Sequence, residues 1–100
     1  MEENKKEPLF VGSEEFLDSA KRNVYKMAKE GLDPSDNVKF GLSDVYVVSY
    51  AFVLWEHKAL LSTNLPDGKY YEVTFNKDTH EMYIDCYVRL NQKKIEFYRP

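Results

Sequence analysis

The stretch that decides the fold is "DGKYYEVTFNKDTHEMYIDCYV", Asp67–Val88. As a hairpin it places Tyr71, Val73, Phe75, Met82, Ile84 and Cys86 on one face. The other face then carries Tyr70, Glu72, Thr74, Glu81, Tyr83 and Asp85. Strict alternation of this kind is the signature of strands with one buried face. The first set reads as core, which makes Cys86 an inert core thiol.

The same alternation extends in both directions. "LPDGK" at Leu65–Lys69 is a turn: Pro66 pre-sets φ, and Gly68 takes a positive φ without strain. A three-residue loop there sets Leu65 opposite Lys69, Leu61 opposite Val73 and Ser62 opposite Glu72. A four-residue loop at Asn76–Thr79 sets Val73 opposite Met82, Tyr71 opposite Ile84, Glu72 opposite Tyr83 and Tyr70 opposite Asp85. A turn at Asn91–Gln92 returns Lys93–Tyr98 as a last strand, with Val88 opposite Ile95 and Tyr87 opposite Glu96. All three registers keep apolar residues together, and a one-residue slip in any of them would not.

Upstream, Val45–Trp55 is apolar on both sides and reads as a central or covered strand, turned by "EHK" at Glu56–Lys58 and followed by a strand over Ala59–Leu65. Before it, "VKF" at Val38–Phe40 reads as a short strand. Ser13–Gly31 is the one helix. Ser13 suits its N-cap, and Gly31 suits a left-handed residue after its last turn. Phe16, Leu17, Ala20, Val24, Met27 and Ala28 recur at three- and four-residue steps and form one apolar stripe. A single helix and about five antiparallel strands bury their apolar faces only against each other. The expected fold is therefore α+β, with the N-terminal helix packed on an antiparallel meander sheet. Residues 9–100 form that single domain, and residues 1–8, charged and aperiodic, form a flexible tail.

Composition narrows the function. The chain has 100 residues, 14 basic and 17 acidic, for a net charge of −3. No overall basic field exists to collect phosphates, so nucleic acid is disfavoured. The longest apolar run is too short to span a bilayer, and the start lacks a signal-peptide core. One cysteine cannot form an internal disulfide, which fits a cytoplasmic protein. His57 and His80 match no zinc spacing, there is no phosphate-cradling glycine loop, and no cofactor is expected. Glu72 and Asp85 on an open sheet lack the desolvation that tunes acid–base pairs, so an enzyme is not expected.

The outer face, with Ser62, Asn64, Tyr70, Glu72, Tyr83, Asp85, Tyr87, Glu96 and Tyr98, and with Ser62, Tyr70, Glu72, Tyr83, Asp85 and Tyr87 as its candidate binding residues, has two readings. Tyrosine is a good strand former, and the face is then simply solvated. Alternatively, exposed tyrosines offer rigid contact area with a polar handle, and the face binds an unidentified protein partner. A homodimer through a sheet edge is the other association the pattern allows, with Lys93 and Lys94 as edge guards. The competing functional reading is a small ligand-binding or hydrolytic domain with a pocket between helix and sheet.

The strings "FLDSAKRNVYKMAKE", "DVYVVSY", "KALLSTNLPDGKYYEVTFN" (Lys58–Asn76) and the Y-x-D-x-Y of Tyr83, Asp85 and Tyr87 carry a resemblance. Over Phe16–Leu90 the chain resembles a family of small uncharacterised proteins of phages and prophages of Gram-positive bacteria. It departs from them in its charged N-terminus and in "SYAFVLWEH", Ser49–His57. The resemblance implies a small cytoplasmic accessory protein that binds a host or phage protein, including those of defence systems. It transfers no activity and no functional residue.

Overall fold

The computed structural model describes residues 11–98; the expected N-terminal tail lies outside them. Helix α1 spans Ser13–Glu30. Four strands follow: β1 Val45–Val53, β2 Glu56–Thr63, β3 Lys69–Asn76 and β4 Glu81–Val88. They form one antiparallel sheet in the order β1-β2-β3-β4. The fold is the expected α+β meander with one helix, with four strands in place of about five.

The helix forms where its stripe predicts. Phe16, Ala20, Val24 and Ala28 are buried against Val45, Ala59, Leu61, Tyr71 and Val73. Glu14 and Glu15 in the first turn and Lys29 in the last complement the helix dipole. Two details differ from expectation. Gly12, not Ser13, is the N-cap, and no side chain caps it. Gly31 is right-handed at φ −82°. Its N–H donates to the carbonyl of Ala28, a tight last turn that needs no left-handed residue.

The strands hold three corrections. The first hairpin turns at Leu54–Trp55, both with positive φ (53° and 67°), and not at Glu56–Lys58. Strand β2 therefore starts at Glu56 and takes in His57. The turn escapes a sequence reading because positive φ is normally supplied there by Gly or Asn. Second, the two later hairpins are each displaced by two residues from the expected pairing. Ser62 faces Tyr70 and Leu61 faces Tyr71; Tyr71 faces Cys86 and Glu72 faces Asp85. A two-residue shift preserves the faces, since side chains alternate with period two, so the division into core and open face survives. Third, Val38–Phe40 and Lys93–Tyr98 form no strand. Phe40 instead stacks on Tyr25 of α1 at 5.3 Å.

Strand β1 is an edge, covered on one side only, and not the central strand its apolar run suggested. Its pairing with β2 shifts between Val47 and Ser49, a bulge that leaves Val48 as the extra residue. The entry to β1 is pinned by Asp44, whose carboxylate accepts from the Gly41 N–H at 2.8 Å and from Asn64 Nδ2 at 3.2 Å. Those two bonds hold the Asp44 carboxyl below the usual carboxylate range.

Candidate functional site: the open sheet face

Helix α1 covers one side of the sheet, over β1, β2 and β3. The other side has no element of the described residues packed on it. Cross-strand partners share a face, so the ladders fix what lies there. One row runs Tyr46, Ser62, Tyr70, Tyr87, the next Ser49, Leu60, Glu72, Asp85, and a third Ala51, Lys58, Thr74, Tyr83. Of the nine residues expected on this face, Ser62, Tyr70, Glu72, Tyr83, Asp85 and Tyr87 are on it, whereas Asn64, Glu96 and Tyr98 lie outside the strands.

Their environments differ. Ser62 is buried, and its hydroxyl donates to the Lys69 carbonyl at 2.9 Å. It supports the face from beneath. Tyr83 and Tyr87 are about half exposed, at 52% and 51%, as is Tyr46 at 46%. The expected cross-strand pairing of tyrosine with carboxylate is replaced by contacts along and across the rows. The Tyr83 hydroxyl donates to Glu81 Oε1 at 2.7 Å, its neighbour two residues back. The Tyr87 hydroxyl reaches diagonally to Glu72 Oε1 at 3.2 Å. Each carboxylate raises the pKa of the phenol that donates to it, because it stabilises the protonated donor and repels the phenolate.

Glu72 and Asp85 stand directly opposite one another. Like charges in that position are mutually unfavourable. Glu72 is partly compensated by Lys58 Nζ at 3.5 Å and by the Tyr87 hydroxyl. Arg89 completes the rim: its Nη2 donates to the Tyr70 hydroxyl at 3.2 Å and its Nη1 to Gln92 Oε1 at 3.1 Å. The centre of the face is thus a carboxylate pair framed by phenols, with one lysine and one arginine at the margins. A cation presented by a partner would find two acidic side chains already in register.

The helix–sheet seam is the other place to look for chemistry. Along most of its length it is filled by Phe16, Ala20, Val24, Leu61 and Val73. At the start of the helix a hollow of about 270 Å³ is bordered by Val11, Gly12, Ser13, Tyr50, Phe52 and His57. His57 is buried there, stacked on Phe16 at 4.9 Å. Its Nδ1 pairs with the Tyr50 hydroxyl and its Nε2 with the Val11 carbonyl. Both ring nitrogens are engaged, so the residue ties the chain before α1 to the sheet.

Cys86, expected in the core, is exposed. It lies on the helix side, opposite Tyr71, but β4 extends past the helix's cover. Among the described residues no three His, Cys, Asp or Glu side chains gather as a metal would need. No described helix is long and apolar enough to cross a membrane.

A family model of unknown function, DUF6275, matches residues 17–97. The chain belongs to the DUF6275 family. The match runs from the second turn of α1 to the end of the chain's last apolar alternation, so the open face lies wholly within the DUF6275 region. No curated protein and no solved structure matches the chain.

Among the residues of the face missed in the sequence are Tyr46, Lys58 and Arg89. Tyr46 was obscured by the reading of Val45–Trp55 as covered on both sides. Lys58 was obscured by its placement in a turn. Arg89 follows the last residue of β4, where alternation no longer assigns a face.

Proposed function

We propose that this DUF6275 protein works by binding another protein through the open face of its sheet, centred on Tyr70, Glu72, Tyr83, Asp85 and Tyr87. One observation carries the reading: a whole sheet face, uncovered by the described residues, bears half-exposed tyrosines around an opposed carboxylate pair. Tyrosine supplies large contact area with few rotatable bonds, which is the chemistry of interface anchors. The Glu72–Asp85 pair fits a partner that brings an arginine or lysine, which would relieve the like-charge juxtaposition on binding. Arg89 at the rim adds a site for a partner carboxylate.

The resemblance to phage and prophage proteins extends the proposal: the chain is a small cytoplasmic accessory protein, non-enzymatic, and its partner is a host or phage protein. The test is affinity capture with mass spectrometry from infected cells, comparing the native chain with the Tyr83→Ala/Asp85→Ala double variant. Both side chains are exposed, so the variant keeps the native circular dichroism spectrum. We expect at least one protein to be captured by the native chain and lost with the variant. An unchanged set of captured proteins would sink the proposal.

A further inference from the structure

The segment Lys93–Tyr98 has the composition of a strand without the ladder of one. Ile95 and Phe97 alternate with Lys94, Glu96 and Tyr98, yet Ile95 and Phe97 are 75% and 91% exposed. Beside it in sequence, β4 is the last strand of the sheet, and its outer edge is open. The helix touches β4 at Met82, where Asn23 Nδ2 comes 4.0 Å from Sδ, and leaves Cys86 and Val88 exposed. An unpaired alternating segment and an open, incompletely covered edge are complementary surfaces on one chain.

We propose that they meet between two copies: Lys93–Tyr98 of each copy adds as a fifth strand, antiparallel, to β4 of the other. One register satisfies both faces. It sets Ile84 opposite Ile95 and Met82 opposite Phe97 on the helix side, and Asp85 opposite Lys94 on the open side. Apolar pairs then extend the core row, and Lys94 neutralises the carboxylate that the Glu72–Asp85 juxtaposition leaves uncompensated. The same pairs form twice about a two-fold axis, an isologous contact. The link Leu90–Gln92, outside any ladder, takes up the change of phase between β4 and the added strand.

Within one chain neither route to a fifth strand is as good. The same register would turn at Arg89–Leu90, yet the Arg89 N–H donates to the Gly68 carbonyl at 2.9 Å and continues the β3–β4 ladder. The turn at Asn91–Gln92 would set Arg89 opposite Lys94, two like charges in direct opposition. Tight hairpin turns need positive φ, and no residue from Arg89 to Gln92 has it.

Directly opposed residues in an antiparallel ladder lie about 4.5–5.5 Å apart at Cα, within the span of a disulfide. The register puts Lys93 of one copy opposite Cys86 of the other. Three measurements on the full chain test it. Sedimentation of the native chain should give twice the monomer mass at high micromolar concentration. Ile95→Lys/Phe97→Lys should sediment as a folded monomer. Mild oxidation of Lys93→Cys should give a disulfide-linked dimer on a non-reducing gel, and adding Cys86→Ser should abolish the Cys86-linked species. A native chain that stays monomeric, or a dimer that survives the double lysine variant, overturns the proposal. A disulfide closed within one chain, or none, overturns the register. The Tyr83→Ala/Asp85→Ala capture experiment is read independently of all three.

Discussion

Tyr71 is buried in the core with its ring beneath α1 and its hydroxyl beside Cys86. Burial first, and then the proximity of Cys86 and Asp67, push its pKa up to about 12. The native state thus holds the phenol proton more tightly than the unfolded chain, whose tyrosines titrate near 10. The corresponding stability is complete below pH 10 and is lost as the pH rises through 12. We expect a loss of no more than about 2–3 kcal/mol over that interval, at about 1.4 kcal/mol per pKa unit, read by denaturant titration at each pH. Tyr71→Phe should remove that component of the alkaline loss; an unaltered profile would refute the assignment. At this scale the sequence was only partly legible. Alternation alone told Tyr71 from Tyr70. It did not tell that Ser62 is buried or that Cys86 is exposed. Both depend on how far the neighbouring elements reach across the sheet, which no local pattern records.

The β1–β2 hairpin shows the same limit at the scale of an element. Its apex puts Leu54 and Trp55 into left-handed backbone, where bulky residues carry strain of about 1–3 kcal/mol each. Leu54 is 87% exposed, and Trp55 contacts Phe52 edge-on at 6.0 Å. Nothing local favours this turn; the pairing of Phe52 with His57 and of Val53 with Glu56 imposes it. Leu54→Asn/Trp55→Gly supplies residues suited to the backbone. It should stabilise the fold by about 1–2 kcal/mol after the lost aromatic contact, seen as a higher midpoint in urea. A lower midpoint would mean that the apex side chains contribute more than the strain they accept. The hairpins around Gly68 and Asp78 were legible, because their loops carry proline, glycine and Asx residues. Their registers were misjudged by two residues, since loop length was read from composition. In the structure Asp67 bonds the Lys69 N–H and Asn76 bonds the Asp78 N–H, which sets where each strand resumes.

For the whole molecule, the helix stripe and the period-two alternation identified the two layers and most of the core. Leu61 lies at their centre, fully buried, between Val47 and Tyr71. Leu61→Ala should cost about 3–5 kcal/mol, a large part of the stability of a domain this size. Thermal melting of the variant checks it, and a shift of only a degree or two would show that the centre of the core lies elsewhere. The division of labour between faces was also legible, but the number of strands was not. Lys93–Tyr98 has a strand's sequence, and no element within the described chain gives it a ladder. The two borders of the sheet are then unequal. One is regular, while the other is kinked at Val48, where the extra residue throws the backbone groups out of step. With the pairing proposed above, growth by strand addition would proceed from one border only. Polymer chemistry calls such a unit monofunctional: two of them react with each other and stop, whereas a sheet regular at both borders would go on to form a fibre.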